Sequence, residues 1–194
     1  MTYSATTTYK IDSVVLLTLK NDNTTDTGTF YSTNYFFKEL KEKFPQNKFD
    51  VLDISPVFQT DSLILDKLIG SIKRNNVDLE ILNSSEIGDS LDYNRPDAII
   101  LGQINNTSKD FHFWFEPNLT LKCKWSSGCN FTYYMVSLKD GKVLWMSNVL
   151  GATNYEEIVS YTWDSDWESY PPLDMAISNG IDMIIDSIPL KKML

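Results

Sequence analysis

FTYYMVSLKDGKVLWMSNVL, residues 131–150, consists of two apolar runs that flank a polar segment containing Asp140 and Gly141. Asp-Gly favours the positive φ angles of a tight primed turn, so the pattern predicts an antiparallel hairpin with a two-residue loop. In that register Tyr134 lies opposite Ser147. A hairpin alone is only marginally stable in water. The two strands must therefore belong to a larger sheet.

Upstream of the hairpin, the hydrophobic pattern alternates between strands and helices. Short continuous apolar runs indicate buried strands, and apolar residues spaced three or four apart indicate helices. The predicted elements are a strand at residues 12–19, a helix at 29–44, a strand at 49–54, a helix after the N-cap Asp61, a strand at 77–81 and a short helix at 84–91. This order predicts parallel strands joined by helical crossovers.

From residue 97 onward the pattern changes to strands, and only the last element is a helix. The apolar run at residues 97–104 is followed by alternating segments, with SSG at residues 126–128 as an expected turn. A final helix follows the two prolines at residues 171–172. The chain is thus predicted to adopt an α/β fold. Its mixed sheet has a β-α-β-α amino-terminal half, then an antiparallel meander and a C-terminal helix packed on the sheet.

The expected turn brings the two cysteines together. If it centres on Ser126, Cys123 lies directly opposite Cys129. Directly opposed antiparallel residues have Cα atoms about 4.5–5.5 Å apart, which a disulfide tolerates. The register therefore predicts a disulfide between Cys123 and Cys129. The alternative is a pair of reduced thiols.

Both faces of the hairpin are apolar, and one of them is a candidate interface. One face is expected to form the main core under the helices. The candidate interface on the other face comprises Tyr134, Val136, Val143 and Trp145. One possibility is that the first or last helix covers this face. The other is that the face is a subunit contact, because large exposed apolar patches are uncommon on monomers and Tyr and Trp are enriched at interfaces.

The composition is that of an ordinary globular domain, with 194 residues, 42% of them hydrophobic and 22% charged. We expect one domain over residues 1–194 with an ordered core at about 12–188. The net charge of -9 and the scattered Lys and Arg residues lack the basic footprint of a nucleic-acid-binding protein. No run reaches the roughly 18 apolar residues of a membrane span, and residues 1–4 lack a signal-type start.

Residue types that carry catalysis or bind metals are sparse. The single histidine, His112, lies in the aromatic run FHFWF at residues 111–115, where a packed or half-exposed structural role is the simpler interpretation. The cysteines and the histidine form no zinc pattern, and no phosphate loop, dinucleotide fingerprint or Gly-x-Ser-x-Gly motif occurs. We therefore expect no enzyme activity, no catalytic residue, no cofactor and no metal site.

An acidic-aromatic loop, WDSDWE at residues 163–168, supports an alternative function as a carbohydrate- or calcium-binding module. Carboxylates at alternate positions can supply oxygen ligands to calcium, and tryptophan rings can stack on sugar rings. The candidate ligand residues are Trp163, Asp164, Asp166, Trp167 and Glu168. The loop lacks the glycine and the final glutamate of an EF-hand. The other interpretation is a structural loop that binds no metal tightly.

Three strings resemble a known family, the bacterial outer-membrane lipoproteins whose fold is like the TolB amino-terminal domain and the curli-export channel lipoprotein. VVLL at residues 14–17, followed by an Asn-rich loop, resembles the family's opening strand. PDAIILG at residues 96–102 and SLKDGKVLW at residues 137–145 resemble its Asp-Ala-hydrophobic-Gly strand and its hairpin. The cysteine pair and the acidic loop depart from the family pattern, and the family's lipidated cysteine is not among these residues.

This resemblance implies a non-enzymatic periplasmic protein that serves assembly or export of surface material, often as an oligomer. The partners it implies are copies of the same chain and envelope or export proteins. It also implies a lipid anchor on a full-length precursor, which would hold the protein at the inner face of the outer membrane.

Overall fold

The computed structural model of the protein describes residues 2–4, 11–17, 20–21, 26–43, 50–52, 62–74, 77–83, 96–118, 120–158 and 173–189. The strands are β1 (Thr2–Ser4), β2 (Ser13–Leu16), β3 (Lys20–Asn21), β4 (Asp50–Leu52), β5 (Ala98–Phe115), β6 (Leu121–Ser137) and β7 (Val143–Ile158). The helices are α1 (Asp26–Lys43), α2 (Ser62–Lys73), α3 (Glu80–Asn83) and α4 (Leu173–Ser187). None of the described helices combines the length and apolar character that crossing a membrane requires.

The strands form one mixed sheet in the order β1-β7-β6-β5-β2-β4, with β3 beside β5. β2 runs parallel to β4 and to β5, as expected of strands joined through helices. β5, β6 and β7 form an antiparallel meander. The predicted α/β fold, with a mixed sheet, a β-α-β-α beginning, a meander and a C-terminal helix, is confirmed.

Helices cover both faces of the sheet, so the chain has three layers. α1 and α4 bury one face around Phe36, Phe131 and Ile181. α2 buries the other face with the stripe predicted for it, Leu65, Leu68, Ile69 and Ile72. Adjacent residues such as Ile99 and Ile100 are therefore both fully buried, which explains the uninterrupted apolar run at the start of β5.

Asp97 joins the beginnings of two neighbouring strands. Its Oδ2 accepts hydrogen bonds from the backbone N–H groups of Asp12 and Ser13, both at 2.9 Å, and from Ser13 Oγ at 3.1 Å. A carboxylate that accepts several backbone N–H groups makes strong, charge-assisted hydrogen bonds. The aspartate of the PDAIILG string therefore fixes β5 beside β2.

Helix α4 approaches β7 closely at two glycines. A Cβ on Gly151 would lie 2.0 Å from the carbonyl oxygen of Ala176, and a Cβ on Gly180 would lie 2.6 Å from the ring of Phe131. The last helix was predicted to pack on the sheet, and it does so at a distance that only glycine permits.

The hairpin is present, but its loop is longer than predicted. Ser137 N donates to Lys142 O at 2.9 Å, and Gly141, with φ of 67°, donates its N–H to Ser137 O at 3.0 Å. A register shift also interrupts the ladder between Met135 and Val136. The expected two-residue turn is therefore wrong, and Tyr134 lies opposite Met146 instead of Ser147.

The turn predicted at residues 126–128 does not exist, because β6 runs straight through it. Gly128 is needed there for space, since a Cβ on it would lie 2.7 Å from Ser108 Oγ on β5. Cys123 and Cys129 consequently lie on one strand, where six residues span about 20 Å. Both are buried and neither is in a disulfide, so the predicted disulfide is wrong.

Residues 77–81 do not form the predicted third strand. Asp78 Oδ1 accepts a hydrogen bond from Glu80 N at 3.1 Å at the start of the short helix α3. The apolar side chains of Val77, Leu79 and Ile81 pack into the cluster around α2 instead of a sheet. The short helix predicted at residues 84–91 lies outside the described residues.

Candidate functional site

The meander continues as a three-stranded extension, which we call the arm. It comprises residues 106–115 of β5, 121–130 of β6 and 150–158 of β7, aligned through the pairs Asn106–Asn130 and Asn130–Leu150. The two buried clusters reach only Ile104 on β5. On β5 the arm therefore lies beyond both clusters, while at its base Cys129 of β6 belongs to one cluster and α4 lies against Gly151 of β7.

Among the described residues, the outer edge of β5, the side away from β6, has no partner strand along the arm. β2 pairs with Ala98 to Ile100, and β3 pairs with Gln103 and Ile104. A bulge then follows Ile104, and no described strand pairs with the outer edge beyond it. An edge strand offers its backbone groups to another chain, and bulges and charges are the usual devices that discourage such pairing.

Aromatic side chains at the tip of the arm are exposed. Phe113 and Phe115 are each 66% accessible and Trp114 is 37% accessible. Phe111, further from the tip, is half-buried against Trp125 of β6, with 5.1 Å between ring centroids. A cluster of exposed aromatic residues on an open strand edge is typical of a surface that contacts another macromolecule.

Opposite charges face each other around these aromatic residues. Lys122 Nζ lies 2.6 Å from Glu116 Oε1, and Lys124 Nζ lies 3.3 Å from Glu156 Oε1. His112, expected to be packed or half-exposed, is exposed instead, with Nε2 2.8 Å from a carboxylate oxygen of Asp110. These surface pairs contribute little to stability. They leave the arm without a strong charge of either sign.

The candidate interface predicted from the hairpin is not exposed. Tyr134, Val136 and Val143 pack in the cluster around α2, and burial raises the pKa of Tyr134. Trp145 lies on the opposite face, fully buried, and donates from Nε1 to Ser187 O at 3.1 Å. The face is covered within the chain, by α2 and not by the first or last helix. The interface prediction at these four positions is therefore wrong.

The alternative loop at residues 163–168 lies outside the described residues. Within the described part of the chain, no group of three or more His, Cys, Asp or Glu side chains is placed to hold a metal ion.

Both cysteine thiols are expected to react only after unfolding. Burial raises the pKa of the Cys129 thiol from 9.0 to about 12, so it stays protonated and unreactive near neutral pH. Ionisation favours the unfolded chain, so the stabilisation from this thiol is complete below pH 9.0 and is lost as the pH rises toward about 12. Iodoacetamide without reductant should add two groups to denatured protein and none to native protein, as measured by intact mass. A denatured chain that takes up no label would show that the two cysteines form a disulfide after all.

Tyr133 carries a buried hydroxyl with no hydrogen-bond partner among the described residues. Its ring stacks on Phe36 at 4.7 Å, and burial, with a smaller contribution from Cys129, raises its pKa. We expect Tyr133→Phe to leave the free energy of unfolding unchanged or to raise it by about 1 kcal/mol, because the desolvation cost of the hydroxyl disappears. Urea unfolding measures this difference. A loss of stability would reveal a partner for the hydroxyl.

No protein-family model and no curated protein matches the chain. Among solved structures, the fold is similar to that of a Helicobacter pylori protein described as a neuraminyllactose-binding hemagglutinin homolog. The TM-score is 0.53 at 12% identity, over 95% of this chain and 89% of that one.

Two further likenesses are to bacterial proteins. A single-residue variant of the PelC dodecamer from Paraburkholderia phytofirmans gives a TM-score of 0.48 at 8% identity, over 96% of this chain and 95% of that one. Lipoprotein GNA1162 from Neisseria meningitidis gives a TM-score of 0.39 at 13% identity, over 90% of this chain and 98% of that one. Of these three likenesses, the Helicobacter one alone exceeds 0.5, and it speaks for a shared fold and not for an activity. The closer resemblance to TolB-like and curli-export lipoproteins stays a prediction.

The open edge of β5 is the feature that sequence reasoning missed. The run FHFWF at residues 111–115 signals a strand, and aromatic alternation is typical of one. Whether a strand has a neighbour on both sides depends on the rest of the sheet. The local sequence therefore could not identify the exposed edge.

Proposed function

We propose that this protein is a non-enzymatic component of the bacterial cell envelope that works as a homo-oligomer in the assembly or export of surface material. The observation that carries the proposal is the arm. Its exposed Phe113, Trp114 and Phe115 lie on a strand edge with which no described strand pairs, which suits contact with another chain better than binding of a small molecule in a cleft.

Two further points support the proposal. The fold is shared with a bacterial protein described as a hemagglutinin homolog. The sequence strings at residues 14–17, 96–102 and 137–145 resemble those of outer-membrane lipoproteins, which implies a periplasmic location and an anchored precursor. The carbohydrate- or calcium-binding alternative depends on residues 163–168, and no described residue adds support to it.

Cell fractionation tests the proposal. A carboxy-terminal epitope tag on the full-length gene in its own host should place the protein in the envelope fraction, and deletion of the gene should reduce exported surface material. Restoring the gene should restore export. Recovery of the tagged protein in the cytosol, or unchanged surface material after deletion, would contradict the proposal.

A further inference from the structure

We infer that two copies of this chain associate by antiparallel pairing of the outer edges of their β5 strands, over residues 111–115. The inference rests on the proposed role as a self-associating component, and it names the contact that such a component would use. The two copies would then share one continuous sheet formed from their two arms.

The backbone of β5 is oriented for such pairing. Glu116 N donates to Thr120 O at 2.9 Å, so Glu116 faces the β6 side of the hairpin. Residues of an antiparallel strand alternate between its two sides. Phe113 and Phe115 therefore direct their N–H and C=O groups away from β6, as does Phe111, whose N–H already donates to Asp110 Oδ1 at 2.9 Å. A partner strand can bond to Phe113 and Phe115 while the ladder with β6 stays intact.

Symmetry then brings like side chains together. A two-fold axis perpendicular to the sheet makes the two β5 strands antiparallel and keeps each face on its own side. Phe111, Phe113 and Phe115 share one face, because they lie opposite Trp125, Cys123 and Leu121. With the axis at Phe113, each Phe113 lies opposite the Phe113 of the other copy and each Phe111 opposite a Phe115, and each aromatic cross-strand pair contributes roughly 0.2–1 kcal/mol.

The charge of the edge permits a second copy. The chain as a whole carries a net charge of -9, which opposes contact between most parts of two copies. Within residues 106–115, the charged residues are Lys109 and Asp110, and they cancel. An antiparallel partner of the same sequence therefore meets a neutral edge.

The outer edge of β7 is the other place where a neighbouring chain could add to the arm. There Asn179 of α4 donates from Nδ2 to Ala152 O at 2.9 Å, so a carbonyl of that edge is already bonded. α4 also lies against β7 at Gly151. Pairing of β5 with β5 is thus less obstructed than pairing of β5 with β7 of the next copy.

Sedimentation of purified protein over a range of concentrations tests the inference. We expect the unaltered chain to dimerise reversibly in the micromolar range, because a single edge contact is small beside the roughly 1,600 Å² of a standard interface. Phe113→Lys should weaken the dimer at least tenfold, because it places a charge at the pairing edge. Phe113→Pro should weaken it as much, because it removes one outward N–H without touching the β6 ladder.

Met183→Lys is the matched control. Met183 is 53% exposed on α4 and the substitution introduces the same charge, so the dimer should be unaffected. Circular dichroism should show that all variants keep the native fold, and Phe115→Lys serves as a second edge variant if one of them does not. An unaltered chain that is monomeric at high micromolar concentration, or a Phe113→Lys chain that dimerises equally well, would overturn the inference.

The alternative is that the aromatic tip of the arm binds a membrane surface. If the unaltered chain stays monomeric but sediments with phosphatidylglycerol vesicles, and Phe113→Lys abolishes that binding, the arm docks on lipid and the dimer is refuted. These measurements use purified protein only. If sedimentation shows no dimer but cell fractionation still places the tagged protein in the envelope, the β5 contact is rejected and the proposed envelope role is not.

Discussion

Gly151→Ala is expected to lower the free energy of unfolding by at least about 3 kcal/mol, at the upper end of what overpacking usually costs. The added Cβ would lie 2.0 Å from Ala176 O and 2.7 Å from Gly180 N, both backbone atoms of α4. No rotation of a side chain relieves such a contact. The helix must move away from β7, which opens the core around Phe131 and Ile181.

Gly70→Ala is the matched control for this change. Gly70 lies within α2, and a Cβ there has nothing within 4 Å. Alanine should therefore stabilise the helix by about 0.5–1 kcal/mol. Urea unfolding followed by circular dichroism measures both variants. If Gly151→Ala is as stable as the unaltered protein, α4 does not approach β7 as closely as described.

Trp145→Glu is expected to unfold the chain. Trp145 is fully buried between the sheet and the helices α1 and α4, and its indole N–H is bonded to Ser187 O. A carboxylate at this position would be buried without a partner or would force the core open. Either cost is comparable to the whole free energy of unfolding of a typical domain. Loss of near-ultraviolet dichroism and of dispersed amide resonances would report it.

Leu150→Glu provides the comparison on the same strand. Leu150 is 61% exposed, so the charged side chain reaches water and the fold should persist. A folded, soluble Trp145→Glu chain would contradict the core assignment and would favour the earlier interpretation of Trp145 as part of an interface.

The elements that sequence reasoning predicted well are those whose burial depends on local spacing. The stripe of Leu65, Leu68, Ile69 and Ile72 and that of Ile177, Ile181 and Ile184 each lie on one face of a helix. The buried strand at Val14 and the run at Ile99 are apolar on both sides because helices cover both faces. In each case the apolar spacing within a few neighbouring residues is enough to predict which side chains are buried.

The errors arose where a long-range contact overrides a local signal. Gly128 resembles a turn residue, but it is small because Ser108 of β5 lies against it. Gly141 does adopt a left-handed conformation, yet in a longer loop that shifts the pairing near the turn by two residues. The register shift between Met135 and Val136 then takes one residue back, so Trp145 lies opposite Met135 and on the other face. The disulfide and the interface predictions both depended on those two turns.

Amide hydrogen exchange along β5 tests most directly the claim that the open edge of the arm is an association surface. The account predicts that the amides of Phe113 and Phe115 exchange rapidly in dilute protein and become protected as the concentration rises. The amides of His112 and Trp114, which face β6, should be protected at every concentration. Exchange at Phe113 and Phe115 that is independent of concentration, or slow even in dilute protein, would contradict it.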